Sequence, residues 1–210
     1  MRTDEEMFKR CFVEKSWKII RSNLCGLVLD IGCRDGLLTA HHKNSIGIDI
    51  ERQQSYIPLV LADMHFLPFK KEVFDTVVLI HVLEHTDKPK ELLMEIKRIL
   101  RSQGKLIISI PNAKTWFSYV LVKLIGYDGY AYQKNLNKNR YWQHKLFMGY
   151  NELKKIIEKE FKIEKFMVST PHIPLLERIF DYGFLRKVYW KLGDIDKFHA
   201  KDLIFICKKE

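Results

Sequence analysis

The chain has 210 residues, of which 47% are hydrophobic and 30% charged, with a formal net charge of +10. This composition excludes a disordered chain, and the length suits one globular domain with an elaborated lid. No apolar run is long enough to span a membrane, and the acidic N-terminal residues lack the pattern of a signal peptide. We therefore expect a reduced cytoplasmic protein whose four scattered cysteines bind no metal.

The positive charge is unevenly distributed along the chain. Residues 1–111 contain 17 Lys and Arg against 15 Asp and Glu, whereas residues 112–210 contain 19 against 11. The net charges are therefore +2 and +8. A basic half is typical of proteins that bind RNA or an anionic membrane surface, and a solvated lysine-rich surface explains it equally well. A peripheral position at a membrane is therefore an open alternative.

The first predicted element is a helix over residues 3–23. Thr3 and Glu6 have the spacing of a capping box, and apolar residues recur on one side of the helix. We treat residues 1–24 as an N-terminal helix that packs on the domain or covers its site.

The stretch from Leu27 to Gly36 predicts a buried strand over residues 27–31, a glycine turn, and a short helix over residues 36–43. Ligands of open α/β sheets bind where such strands end. Two further strands follow over residues 46–50 and 60–63, and they end near Asp49 and Asp63. A carboxylate after the second strand suits both hydroxyls of a ribose, and one after the third suits the edge of an adenine.

The connections between these strands are short for helical crossovers. We expect a curtailed first helix and little more than a turn between the second and third strands. Residues 74–81 then predict a fourth buried strand, Pro89 begins a helix, and residues 106–111 predict a fifth strand.

Several motifs in this order resemble the class I S-adenosylmethionine-dependent methyltransferases, in particular the small-molecule branch related to ubiquinone-biosynthesis enzymes. They are Asp30-Ile-Gly-Cys-Arg-Asp-Gly36, Gly47-Ile-Asp49, Ala62-Asp63 with Leu67-Pro-Phe69, and Phe74-Asp75 with Leu83-Glu-His85. The resemblance covers residues 25–111. It implies a Rossmann-like α/β fold, with a mostly parallel seven-stranded sheet whose last strand is antiparallel, and a helical lid insertion.

The same resemblance implies S-adenosyl-L-methionine as the cofactor. The positions that it assigns to cofactor binding are Asp30, Gly32, Cys33, Arg34, Gly36, Asp49, Ile50, Asp63, Met64, Ile80 and His81. Arg34 departs from the family, which usually has a glycine there. We expect its backbone to take an ordinary conformation, with the side chain directed away from the ligand or toward its carboxylate.

Residues 112–150 contain ten aromatic residues mixed with lysines, and in the resembled family an insertion here forms the acceptor pocket or lid. The aromatics suit stacking on an acceptor, or they form a small core of the lid itself. Residues 151–210 predict a helix capped by Asn151, strands at 161–169 and 202–207, and an amphipathic helical insertion at 172–199.

Methyl transfer needs a base only when the acceptor is protonated, and histidine is the side chain best suited at neutral pH. His81 is a candidate at the end of the fourth strand. The residues we assign to catalysis are His85, His144 and Tyr141, of which His85 matches a family position that is often structural. No metal-ligand pattern is present.

The sequence therefore predicts metal-independent methyl transfer to O, N or C of a small-molecule, lipid or glycan acceptor. Two alternatives stay open: an RNA methyltransferase that uses the basic C-terminal half, and a cofactor-binding scaffold without catalysis. The oligomeric state is not predicted.

Overall fold

The computed structural model describes residues 11–112, 145–146, 148–170, 188, 191 and 200–210. The strands within these residues are β1 (Val28–Ile31), β2 (Ser45–Asp49), β3 (Leu59–Leu61), β4 (Phe74–Ile80), β5 (Leu100–Pro111), β6 (Lys162–Val168) and β7 (Asp202–Lys208). The helices are α1 (Cys11–Arg21), α2 (Pro89–Ile99) and α3 (Tyr150–Ile157), and a 3-10 turn spans Leu83–His85.

The seven strands form one sheet in the order β3-β2-β1-β4-β5-β7-β6. Strands β1 to β5 pair in parallel, and β7 pairs antiparallel with both β5 and β6. The predicted Rossmann-like architecture and its antiparallel last strand are confirmed. The helical lid insertion and the insertion at 172–199 lie outside the described residues.

Alternate residues of the central strands pack on opposite faces of the sheet. Leu29 of β1 and Val77 of β4 face the larger core, to which α2 and α3 contribute. Val28 and Val78 face the smaller core, where Ile20 of α1 packs. Because both faces are covered, apolar residues occupy consecutive positions in these strands.

The helix predicted over residues 36–43 is not formed, and the chain passes through consecutive turns instead. The amide of Gly36 donates to the carbonyl of Cys33 over 2.8 Å, and the amide of Thr39 donates to Gly36 over 3.1 Å. In a helix, the carbonyls of Leu37 and Leu38 would accept hydrogen bonds from backbone amides. Here they accept hydrogen bonds from the side chain of Arg21 in α1, over 3.0 and 2.9 Å. The connection from β2 to β3 contains no helix, as predicted, only bends and irregular backbone.

Two further predictions at element ends need correction. The cap of α3 is Gly149, whose amide donates to Glu152 Oε2 over 3.1 Å, so Asn151 lies inside the helix. Strand β5 begins at Leu100, directly after α2, because Leu100 already pairs with Phe74 of β4. No helix among the described residues is long and apolar enough to cross a membrane.

Candidate functional site

The carboxyl ends of three neighbouring parallel strands meet at one edge of the sheet. Asp30 of β1 pairs with Gly47 of β2 on one side and with Val78 of β4 on the other. The turn that follows β1 therefore lies between the residues that follow β2 and β4. The predicted cofactor positions from all three strands are brought together here.

The turn after β1 contains three residues with left-handed backbone: Gly32 with φ of 66°, Arg34 with φ of 52°, and Gly36 with φ of 72°. The expectation of an ordinary backbone at Arg34 is therefore wrong. A non-glycine residue at positive φ is held there only by its surroundings. The Arg34 amide donates to Asp49 Oδ2 over 2.9 Å, and this contact fixes the backbone conformation.

Gly32 lies directly against the segment that follows β4. A Cβ atom at Gly32 would lie 2.5 Å from Val82 Cγ2, which is closer than real Cβ contacts come. The amide of Gly32 also donates to the carbonyl of Ile48 in β2 over 2.8 Å. The turn is thus held between the ends of β2 and β4, and its close approach to Val82 requires glycine.

Asp49 retains capacity to bind a diol. Its Oδ2 accepts from Arg34 and its Oδ1 accepts from the amide of Glu51 over 3.1 Å. A carboxylate has about four acceptor positions, so roughly two remain for hydroxyl donors. Ile50 beside it is 59% exposed and presents an apolar surface. A carboxylate next to an exposed apolar side chain fits an adenosine moiety.

Asp63 after β3 is fixed by His65, a residue that sequence reasoning missed. Asp63 Oδ1 accepts from the His65 amide over 2.8 Å and lies 2.8 Å from His65 Nδ1. Backbone donation from His65 is the largest cause that lowers the pKa of Asp63. His65 Nε2 is in turn 2.7 Å from Thr86 Oγ1, and Met64 between them is partly buried. This chain of contacts links the end of β3 to the loop after β4.

Asp30 and Cys33 are buried rather than exposed at the edge. Asp30 accepts a hydrogen bond from Thr39 Oγ1 over 2.9 Å, and burial raises its pKa to about 7. Burial likewise raises the pKa of the Cys33 thiol to about 12, so the thiol stays protonated and inert. Both residues support the turn from inside the domain.

His81 follows β4 at the same edge, between two buried carboxyl groups. Its Nε2 lies 3.4 Å from Asp202 Oδ1, and its Nδ1 lies 3.8 Å from Glu84 Oε1. Partial burial lowers the pKa of His81, but the charge and hydrogen bond of Asp202 and the charge of Glu84 raise it to about 9. His81 is therefore a cation at neutral pH, which makes it a poor general base.

Glu84 lies in a motif that carries the family resemblance, but the sequence assigned no role to Glu84 or to Asp202. Glu84 is 2% exposed, and within the described residues neither of its carboxyl oxygens accepts a hydrogen bond. Burial raises the pKa of Glu84. Burial acts to raise the pKa of Asp202, but the charge and hydrogen bond of His81, the charge of Lys201 and the hydrogen bond of Ser169 together lower it. The pair at the end of β4 is thus an imidazolium with an ionised Asp202.

The remaining predicted site residues lie in or near β4 or outside the described residues. Ile80 is partly buried and packs on the smaller core. His85 ends the 3-10 turn, where its amide donates to the carbonyl of Val82 over 2.9 Å. His144 and Tyr141 lie outside the described residues. The assignment of cofactor and catalytic roles to these residues stays a prediction.

The central part of the chain is similar to known proteins. Residues 29–108 match the family model described as a methyltransferase domain. The chain is 34% identical over 101 residues to the tRNA U34 carboxymethyltransferase of Cellvibrio japonicus, covering 39% of this chain and 31% of that protein. It is 27% identical over 115 residues to the ubiquinone biosynthesis O-methyltransferase of Coxiella burnetii, covering 47% and 48%.

A solved structure extends the likeness in fold to nearly the whole chain. It is a SAM-dependent methyltransferase and possible histamine N-methyltransferase from Thermotoga maritima, with a TM-score of 0.67 and 16% identity, covering 98% of this chain and 94% of that one. By contrast, the chain spans less than two thirds of the length of the curated relatives it matches.

Proposed function

We propose that this chain, in which residues 29–108 form a class I S-adenosylmethionine-dependent methyltransferase domain, transfers a methyl group to O, N or C of a small-molecule, lipid or glycan acceptor. S-Adenosyl-L-methionine is the cofactor of this family. Its sulfonium carries an activated methyl group, so displacement by the acceptor needs no metal.

The observation that carries the proposal is the contact between the turn after β1 and the carboxylate of Asp49, the last residue of β2. Asp49 binds the Arg34 amide and keeps acceptor capacity for ribose hydroxyls, beside the exposed Ile50. Asp63 lies after the next strand, with its carboxylate 54% exposed. An adenosine that lies across these strand ends would meet both carboxylates, which supports the assignment of this edge to the cofactor.

The work of the protein in such a transfer is mainly alignment. Holding two reactants in a productive geometry can supply roughly 7–11 kcal/mol of a barrier. The turn after β1 and the segment Val82–His85 are in contact through Gly32, so a ligand bound along the turn is held next to the 3-10 turn. We assign to His85 the role of base for a protonated acceptor.

The acceptor class rests on the sequence beyond residue 111. The ten aromatics of residues 112–150 favour a ring-bearing or amphiphilic acceptor, and the charge of +8 on residues 112–210 favours an anionic one. The relative from Cellvibrio japonicus acts on tRNA, and this keeps RNA as the competing acceptor. Contact with an anionic membrane surface is part of the same proposal.

Titration calorimetry tests the proposed cofactor. The chain is expected to bind S-adenosylhomocysteine, the product form of the cofactor, and not ATP or NAD. Binding of ATP or NAD in preference to S-adenosylhomocysteine would overturn the proposal.

Radiolabel tests the acceptor class. When the protein is given S-adenosylmethionine with a radiolabelled methyl group, we expect the label to appear in a polar-lipid or small-molecule extract. If the label instead appears in RNA, and the affinity of the protein for RNA falls steeply as the salt concentration rises, the alternative of an RNA methyltransferase is favoured.

Asp49→Ala is expected to weaken the binding of S-adenosylhomocysteine by about 1–3 kcal/mol, because ribose hydroxyls would lose their acceptor. The variant also removes the acceptor for the Arg34 amide, so part of the loss comes from the turn. Asp49→Asn retains an oxygen acceptor and is expected to lose less. Calorimetry measures both, and an affinity of Asp49→Ala equal to that of the unmodified protein would show that the ribose is held elsewhere.

His85→Ala is expected to lower the rate of methyl transfer more than the affinity for S-adenosylhomocysteine, if His85 acts as the base. The rate is measured by the release of S-adenosylhomocysteine with a polar-lipid extract as acceptor. The exposed His41 provides the matched control, since His41→Ala is expected to change neither quantity. Equal losses of rate and affinity in His85→Ala would assign His85 a structural role.

A further inference from the structure

Strand β3 forms one edge of the sheet, and its outer side is open. Among the described strands it pairs with β2 alone. The carbonyl of Pro58 and the amide of Ala62 bond to β2 over 2.8 and 3.0 Å. Because backbone groups alternate in direction along a strand, the amides and carbonyls of Leu59 and Leu61 point away from β2. The edge therefore presents both donors and acceptors for a further strand.

One face of the sheet is also uncovered at β3, because the connection from β2 contains no helix. Val60 packs toward the larger core. The side chains of Leu59 and Leu61 point to the opposite face, since side chains alternate along a strand. Leu61 is 54% exposed there. An open groove runs along this face, and the described residues that line it are Arg52, Gln53, Ser55, Ile57, Leu59 and Leu61.

The two edges of the sheet differ in charge. The edge strand at the other end, β6, carries the exposed charged residues Lys162, Glu164 and Lys165. Charged side chains on an edge strand discourage pairing with other chains. Residues 53–62, which include β3, contain no charged residue, although 30% of the whole chain is charged. The β3 edge lacks the protection that β6 has, and an exposed apolar edge of this kind is suited to pairing.

We propose that β3 pairs with β3 of a second copy of this chain, in an antiparallel register centred on Val60. A two-fold axis through Val60, perpendicular to the sheet, places Leu59 opposite the partner's Leu61 and Leu61 opposite the partner's Leu59. These residues direct their backbone groups outward, so each of the two pairs exchanges both of its N–H···O hydrogen bonds. The leucine side chains of both copies then lie together on the face that carries the groove.

The distribution of charge favours a second copy as the occupant. In a two-fold interface, side chains near the axis face their own counterparts, so a charge there would meet a like charge. The uncharged stretch 53–62 avoids this repulsion. Strands β6 and β7, which belong to the basic half of the chain, lie at the opposite end of the sheet. In the dimer the two copies of β7 would be roughly 50 Å apart, far beyond the screening length of about 8 Å at physiological salt.

Sedimentation equilibrium with the full chain tests this interface and needs no ligand. The unmodified protein is expected to have twice the mass of one chain at micromolar concentration. Leu61→Lys places a charge between the two strands, and we expect it to raise the dissociation constant of the dimer by at least about tenfold. Because Leu61 is exposed in the single chain, the variant is expected to keep the circular dichroism spectrum of the unmodified protein.

Met94→Lys is the matched control. Met94 is an apolar residue of α2 that is 51% exposed, so the same charge is added at an exposed apolar site away from β3. This variant is expected to leave the dimer intact. Leu61→Pro provides a second variant at the edge, because it removes the outward amide of residue 61 and leaves the bonds to β2 in place. It is expected to weaken the dimer as Leu61→Lys does.

A mixture of two variants tests the register. Leu59→Glu alone is expected to weaken the dimer. When it is mixed with Leu61→Lys, the proposed register places the glutamate of one chain opposite the lysine of the other and keeps the second pair of leucines together. The mixture is therefore expected to form dimers more tightly than either variant alone. No gain on mixing two folded variants would overturn the register.

Two results would overturn the interface itself. One is the mass of a single chain for the unmodified protein over the whole concentration range, which would leave the β3 edge to a different protein. The other is a dimer that persists in both Leu61→Lys and Leu61→Pro, which would place the contact on another surface. Neither result bears on the proposed function, which is tested separately by the binding of S-adenosylhomocysteine.

Discussion

Gly32→Ala is expected to destabilise the domain by about 2–4 kcal/mol and to abolish measurable binding of S-adenosylhomocysteine. Two physical costs add at this position. The φ of 66° disfavours any residue with a Cβ atom, and the new Cβ would lie 2.5 Å from Val82 Cγ2. The strain is relieved only if the turn after β1 moves away from β4, which separates the groups that would bind the cofactor. Urea unfolding and calorimetry measure the two effects.

A second substitution separates the two costs of Gly32→Ala. In the double variant with Val82→Ala the steric overlap is removed while the backbone strain remains. The double variant is therefore expected to lose less stability than the sum of the two single variants. An affinity for S-adenosylhomocysteine that is unchanged in Gly32→Ala would mean that the turn does not approach the ligand.

Phe205→Ala is expected to lower the free energy of unfolding by about 3–5 kcal/mol, the range for emptying a large buried aromatic position. Phe205 in β7 is fully buried, and its ring centroid lies 4.9 Å from that of Phe166 and 5.8 Å from that of Tyr150. Removal of the ring leaves a cavity between β6 and α3 that these neighbours cannot fill without moving. Chemical denaturation measures the loss.

The matched control is the same substitution at an exposed site. Phe66 is 79% exposed, so Phe66→Ala is expected to change stability by no more than about 0.5 kcal/mol. A comparable loss for the two variants would show that Phe205 does not owe its contribution to burial. Phe205→Leu, which keeps most of the apolar volume, is expected to fall between them.

The strands were predictable from the sequence because burial on both faces leaves a local signature. Residues 28–31 of β1, 77–80 of β4 and 106–110 of β5 are apolar at nearly every position, and the carboxyl ends of β1 and β4 carry residues that were assigned to the cofactor. The antiparallel β7 followed only from the family resemblance, since no local pattern sets the position of a strand in a sheet. The helix over residues 36–43 failed because Arg21, distant in sequence, satisfies the carbonyls of Leu37 and Leu38.

Site residues at the end of a strand could be predicted from the sequence. Site residues that depend on a contact with a distant part of the chain could not. Gly32, Asp49 and Asp63 follow strands and lie at the predicted edge. No motif predicts that Asp202 meets His81, because this contact depends on β7 entering the sheet next to β5. His65 is hidden for the same reason, since its partner Thr86 belongs to another loop.

The position of β7 between β5 and β6 has a consequence for synthesis of the protein. Strand β6 precedes β7 in the chain but reaches the sheet only through it. On the ribosome, β1 to β5 can pair as they emerge, whereas β6 cannot pair with the sheet until β7 has emerged. Until then the free edge of β5 is open to other nascent chains. During this interval of synthesis, binding of a chaperone to the β5 edge would prevent its pairing with other chains.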